Sequence, residues 1–263
     1  MSPIPSRHHS HHHRPSHMGL HPGGGHHYHV PPRIPRPSTP PGLPPPSTVP
    51  QSPSLLSFGV VCSSNINRSM EAHLVLGNAG LTVESYGTGT TVRLPGRSAM
   101  EPRVFKFGTP YEEMHNSLAA TPDDEAFFMH NGVLQLCRRG ASVKLAPQRW
   151  QDMSSKFVGK HDVVIAFEER IFDAVIDDLQ TREPTEDFEP IHVVCLDTKD
   201  NPHEAKIQGR IALELCWLLE CKAKEPDVGK QGLVLEAPII LDAFQEERMI
   251  HTPIKVLYQL CYL

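Results

Sequence analysis

Acidic residues and lysine are missing altogether from the first 54 positions of this 263-residue chain. Any periodic spacing of apolar residues is missing there too. In their place stand 15 of the 26 prolines, 10 of the 17 histidines and four arginines. A segment of that make-up cannot bury enough apolar surface to offset its ordering entropy. Residues 1–54 are therefore expected to be a disordered Pro/His-rich tail. Long apolar runs are lacking as well: none approaches the ~18 residues of a membrane-spanning helix, and the N-terminus has no apolar core of a secretory signal. The six cysteines include no C-x-x-C pair. Cys137, Cys195, Cys216, Cys221 and Cys261 sit mostly in apolar runs, which predicts buried thiols in a reducing compartment. A basic excess is also absent. The tail carries +4 and the whole chain −5, so the remaining 209 residues stand near −9, which argues against direct nucleic-acid binding. Together these absences predict a soluble intracellular protein with no membrane contact and one domain, residues 55–263, large enough for a single core.

What the domain does contain is alternation of strand and helix patterns. "LLSFGVV" (55–61) suits a buried parallel strand, and "RSMEAHLVLGNAG" (68–80) reads as a helix ending at Gly80. "LTVESYG" (81–87) alternates as a strand does, and residues 88–98 read as a loop. Helices are expected over 109–120, with Thr109 and Pro110 as N-cap and first residue, and over 123–140 with a turn at Asn131-Gly132. A strand over 162–169 leads into a helix over 168–183. A strand over 190–200 ends in a polar loop before a helix over 203–224. Residues 254–263 read as an edge strand, and 224–250 receive no assignment. This order implies right-handed βαβ units: an α/β fold with a three-layer, mostly parallel twisted sheet and helices on both faces. Ligands in such folds sit at the carboxyl ends of the strands. Two polar loops fall on that edge, residues 62–68 and 197–200.

The first loop is Cys62-Ser63-Ser64-Asn65-Ile66-Asn67-Arg68-Ser69. A loop between a strand and a helix N-terminus can aim several backbone N–H groups at one centre, and with the helix dipole it forms an anion site. Arg68 can fork onto two phosphate oxygens. Dipole and arginine favour the thiolate of Cys62, and the Ser69 hydroxyl is within reach of the sulfur. A thiolate aimed at bound phosphate is a nucleophile. The bare C-x5-R spacing is weak, and its context of strand before and helix after is what makes it informative. The leaving oxygen needs a proton, for which the second loop offers Asp197 and Asp200. Asp200 lies further along and precedes the turn signal Asn201-Pro202, and the residues alone leave both open.

The blocks "CSSNINRSMEAH", "YGTGTTVRLPG", "PYEEMHNSL", "HNGVLQL", "EERIFDAVIDDLQTRE" and "HVVCLDTKDN" together resemble the RNA polymerase II C-terminal-domain phosphatases of the Ssu-seventy-two family, a branch of the low-molecular-weight tyrosine phosphatase fold. The resemblance covers about residues 57–221, with a looser echo in the last strand. It implies Cys62 as nucleophile, Arg68 as phosphate clamp and Asp200 as general acid. Ser63, Ser64, Asn65, Ile66, Asn67 and Ser69 would form the phosphate-binding loop, with Asn65 and Ser69 as its supports. Arg93, Leu94 and Pro95 would contact substrate. It further implies a cysteinyl-phosphate intermediate, no metal and no cofactor. The substrate would be phosphoserine at the fifth heptad position of the polymerase tail, before a cis proline. The setting would be the nucleus, in mRNA 3′-end processing and transcription, with a symplekin-type scaffold as partner. The chain departs from the family in its tail, in a longer helix pair around 121–160 and in 224–250. Alternatives on the same loop are a tyrosine or small-molecule phosphatase, an arsenate reductase (which needs relay cysteines that do not follow closely here) and a phosphopeptide-binding scaffold without turnover. The tail has PxxP spacing at Pro32 with Pro35, Pro37 with Pro40 and Pro41 with Pro44, which suits SH3 or WW grooves.

Overall fold

A computed structural model describes residues 53–98, 100–251 and 254–263. The tail expected over 1–54 thus lies outside the described residues, apart from Pro53 and Ser54. The chain begins with β1 (Ser57–Cys62), α1 (Arg68–Asn78), β2 (Thr82–Gly87), β3 (Val92–Leu94) and β4 (Arg103–Phe105). Three helices follow: α2 (Tyr111–Leu118), α3 (Pro122–His130) and α4 (Val133–Val143). A 3-10 turn at Trp150–Asp152 and the short α5 (Ser155–Val158) lead to β5 (Val163–Ala166), α6 (Glu169–Thr181) and β6 (Pro190–Leu196). The domain closes with α7 (Pro202–Ala223), α8 (Gly229–His251) and β7 (Val256–Tyr262).

The main sheet has the order β2-β1-β5-β6-β7. Its first four strands are parallel and β7 adds an antiparallel edge, as the sequence predicts for the last strand. Residue parity sorts the strand side chains into two layers. Phe58, Val60, Val163, Ile165, Val194 and Leu196 pack with α1, α7 and α8. Val61, Val164, Ala166, Val193 and Cys195 pack on the other face with Ile171, Phe172 and Val175 of α6. A third cluster gathers α2, α3 and α4 around Met70, Val92 and Leu94. Gly132 closes α3 and opens α4 at φ +84°, a conformation that suits glycine, at the turn the sequence marks.

Four features differ from the sequence expectations. Residues 88–98 are not all loop: Val92–Leu94 pair antiparallel with Arg103–Phe105 in a separate ribbon, a pairing too short to leave a periodic signal. α2 starts at Tyr111, with Pro110 as its cap and no side-chain capping bond. The unassigned segment 224–250 holds most of a 23-residue helix that carries Pro238 in its interior. Among the five cysteines expected to be buried, Cys221 is exposed, on a surface of α7 that faces α8 beside Ile240 and Phe244.

Candidate active site

From the end of β1 the chain can turn toward β2 on one side or β5 on the other, so its carboxyl end is a switch point in the strand order, the place where α/β sheets open a crevice. Cys62 is the last residue of β1 and is buried. Arg68 opens α1. The end of β6 supplies Thr198-Asp200 on the same edge, as the sequence predicts, and the end of β5 adds Phe167-Glu168.

Arg68 is held from one end. Its Nη1 donates to Phe167 O, Glu168 Oε2 and Thr198 O, each at 2.9 Å. Nη2 donates to Asp200 Oδ2 at 3.2 Å. Nε is buried with no partner among the described residues. A buried donor without an acceptor is costly in a protein interior, and this one belongs to a guanidinium whose other end is fixed. Burial works against the Arg68 charge, but the negative fields of Cys62, Asp200 and Glu168 outweigh it and hold the guanidinium above its ordinary value. The Arg68 side chain is only 2% exposed, so the charge is not dispersed by water.

The loop is braced by its own side chains. Cys62 Sγ lies 3.1 Å from Ser69 Oγ. Asn65 Nδ2 donates to Ser69 Oγ at 3.0 Å, and Asn65 Oδ1 accepts from Gln148 N at 3.0 Å. Asn65 itself stands at φ +54°, a left-handed conformation that asparagine tolerates better than most residues. The Tyr111 hydroxyl donates to Asn65 O at 2.6 Å. Burial, with the field of Cys62 behind it, pushes that hydroxyl well above the usual phenol range, which keeps it a donor. Behind Gln148, the Lys144 ammonium donates to Gln148 Oε1 at 2.8 Å. Burial pulls its pKa down to about 8, against the fields of Glu84 and Cys62. Gly87, at the end of β2, lets the loop approach closely: a Cβ there would stand 2.6 Å from Ser63 O and 2.9 Å from Asn65 N.

In front of the loop is a cavity of about 140 Å³. Cys62, Ser64, Ile66 and Asn67 line it from the loop, Arg93, Leu94 and Pro95 from one wall, and Asn131, Val133 and Leu136 from the other. Asp200 and Pro202 stand at its remaining side. Ser63, Asn65 and Ser69 do not line it; they serve the loop's shape. Arg93 N donates to Ser64 Oγ at 3.2 Å, which ties β3 to the loop. Asp200 Oδ1 accepts from Asn67 Nδ2 at 3.0 Å. Asp197 is not in the cavity wall; its backbone N donates to Lys255 O at 3.4 Å.

Several contributors escape sequence reasoning. Glu168 follows directly on β5, so its place on the strand edge was available as a signal. Arg139 and Glu71 form a largely buried pair at 2.7 Å beneath the loop, with 13% and 12% of their side chains exposed; nothing in their spacing joins them. Asn131, Val133 and Leu136 come from a helix turn whose sequence marks the turn but not its destination.

A family model described as Ssu72-like protein matches residues 56–263. That span includes 224–250, which the sequence blocks did not reach. The RNA polymerase II C-terminal domain phosphatase SSU72 of Eremothecium gossypii is 41% identical over 209 residues, covering 80% of this chain and 71% of that protein. The Schizosaccharomyces pombe protein of the same description is 44% identical over 160 residues, 61% of this chain and 78% of that one. Among solved structures, Drosophila melanogaster Ssu72 with symplekin, bound to a cis peptidomimetic of the CTD peptide phosphorylated on its fifth-position serine, superimposes with a TM-score of 0.70. It is 31% identical and covers 80% of this chain and 100% of that one.

Proposed function

This chain belongs to the Ssu72-like family, and we propose from that premise that it is a cysteine-dependent protein phosphatase of the RNA polymerase II C-terminal domain. Its substrate is phosphoserine before proline, at the fifth heptad position, with the proline in cis. The Drosophila relative, in complex with a cis peptidomimetic carrying phosphoserine at that position, supports the choice. The observation that carries the reading is the bare, buried Nε of Arg68 in the same loop as Cys62 Sγ, with Asp200 across the cavity.

Cys62 Sγ attacks phosphorus in line, forming the S–P bond as the serine Oγ–P bond breaks. The loop amides and the Nε and Nη2 of Arg68 hold the equatorial oxygens and the charge that develops on them. For this, Nη2 exchanges Asp200 for phosphate. Asp200, released from that pair but kept near by Asn67, protonates the departing serine oxygen. In the second half a water attacks the cysteinyl phosphate, Asp200 takes its proton, and Cys62 is restored with release of orthophosphate. Arg93, Leu94 and Pro95 form the wall that receives the residues flanking the phosphoserine. The enzyme works in the nucleus, in mRNA 3′-end processing and transcription termination, with a symplekin-type scaffold; the Drosophila complex with symplekin supports the partner. The catalytic unit is residues 55–263, an extent supported by the family match.

The test is phosphate release from a heptad peptide carrying phosphoserine before proline, in EDTA. Wild type should turn over and Cys62→Ser should not. Asp200→Asn should fall by roughly 10²–10⁴, the usual range for a lost general acid, while Asp197→Asn stays near wild type. Loss in Asp197→Asn with activity kept in Asp200→Asn would reverse the two assignments. Binding of the peptide by wild type without turnover would replace the enzyme by a phosphopeptide-binding module.

A further inference from the structure

We infer that Arg139, on α4, is a positioning residue for the phosphate loop, turning its peptide planes so that their N–H groups face the anion. The inference rests on reading residues 62–69 as the phosphate site. Arg139 Nη2 donates to Ile66 O at 2.6 Å and to Asn67 O at 2.9 Å. Its Nη1 is paired with Glu71 Oε2 at 2.7 Å, in the first turn of α1.

A trans peptide plane carries its C=O and the next residue's N–H on opposite sides. Fixing the carbonyl of Ile66 on Arg139 therefore sends the N–H of Asn67 the other way; the carbonyl of Asn67 is shared with Glu71 N at 2.9 Å, so there Arg139 reinforces a plane that the first turn of α1 also holds. The Tyr111 hydroxyl does the same for the next plane back, through Asn65 O. Thr88 N and Gly89 N hold Cys62 O and Ser63 O at 3.0 and 2.9 Å. Successive amides turned to one side are what makes an anion-binding concavity. Of these outward anchors, Arg139 is the one that carries charge and the one that grips two consecutive carbonyls.

The guanidinium also leaves its own Nε buried and without a partner among the described residues. Its orientation thus serves the two loop carbonyls and Glu71 at the expense of one of its donors. Glu71 fixes the fork from behind, so the clamp ties the lobe of α2, α3 and α4 to the loop that holds Cys62.

The experiment compares wild type with Arg139→Lys, Arg139→Met and the double variant Glu71→Gln/Arg139→Gln, which removes both charges of the pair together. Three quantities are read: kcat and KM on the phosphoserine-proline peptide, the orthophosphate concentration that protects Cys62 from iodoacetamide alkylation, and the urea midpoint. Arg139→Met and the double variant should weaken orthophosphate protection and lower kcat by roughly 10–100-fold, the scale of a small misplacement of a catalytic group. Arg139→Lys, which has one point of attachment in place of a fork, should fall between them and wild type. Folded variants with wild-type protection and kcat would overturn the inference. So would failure of all three to fold, since Arg139 would then belong to the fold alone. A wild type that releases no phosphate would sink the phosphatase reading, whereas unchanged variants beside an active wild type would sink only this one.

Discussion

Acidification from pH 7.5 to pH 5 should cost this domain stability chiefly through two buried histidines that never touch substrate; a half-buried third, His73, pulled down to about 4 by burial and the field of Lys144, adds to them. His161 is buried, with Nε2 2.9 Å from the Tyr86 hydroxyl and Nδ1 3.2 Å from Ser57 Oγ. His192 is buried beside the Tyr258 hydroxyl at 3.0 Å. Burial pulls both down to about 4; for His192 it does so against the field of Asp162. In the unfolded chain each returns to the ordinary histidine value near 6.5. Between these two values the unfolded state binds more protons than the folded one, so stability rises with pH and is lost as pH falls. The effect is complete above about 6.5 and amounts to about 2 kcal/mol per histidine at pH 5, or about 4 kcal/mol for the pair. That is a large share of the ~5–15 kcal/mol that holds a domain together. Urea unfolding at pH 7.5 and at pH 5 reads it directly by tryptophan fluorescence, since Trp150 stacks on His161 at 6.5 Å. The carboxylates of Glu168 and Asp124, held low in the fold, lose their contribution only below their unfolded values, under this window. His161→Gln should remove between a third and a half of the pH dependence, since His192 and the half-buried His73 keep their share, whatever it does to the stability at pH 7.5. A wild-type slope that survives unchanged in His161→Gln, or no slope at all between pH 7.5 and 5, would refute the reasoning.

Gly87→Ala should push the loop from both sides of Ser63 and Asn65, because the new methyl would stand 2.6 Å from one backbone atom and 2.9 Å from the other; a loss of phosphate release with little change in urea midpoint would identify it as damage to the loop. Glu220→Ala should lower stability by about 1–3 kcal/mol by stripping buried amides of their acceptor. Its kcat should be that of wild type, and a fall in kcat without a fall in midpoint would contradict the assignment.

Much of the site could be read from the chain because its chemistry is local. Cys62, the polar run after it and Arg68 occupy one β-turn-α unit, so strand alternation and helix periodicity deliver both ends of the loop. Asp200 could be placed on the same edge because parallel strands all end there, and the cavity wall separates it from Asp197 by position rather than by residue type. The contacts that brace the loop were hidden for the opposite reason. Arg139 and Glu71 meet across 68 positions, and an arginine on an amphipathic helix has the same local pattern whether it faces water or a carbonyl. The last helix was obscured by Gly229, Gly232 and Pro238, which argue against a helix on propensity. Leu233, Ala237, Leu241 and Phe244 nonetheless repeat at helical spacing and pack into the core with α7, and tertiary burial outweighs the local preference.

Glu220, on α7 and 1% exposed, accepts the backbone N–H of Leu55 at 2.7 Å and of Leu56 at 2.9 Å. Ser54 Oγ donates to the same carboxylate at 3.3 Å, and Lys224 Nζ neutralises it at 2.8 Å. Seen as a mechanical part, this is a cleat. Whatever pulls on the fifty-odd residues upstream loads three bonds to α7 before any force enters β1. A pull from upstream therefore meets α7 first, six residues ahead of the sulfur of Cys62.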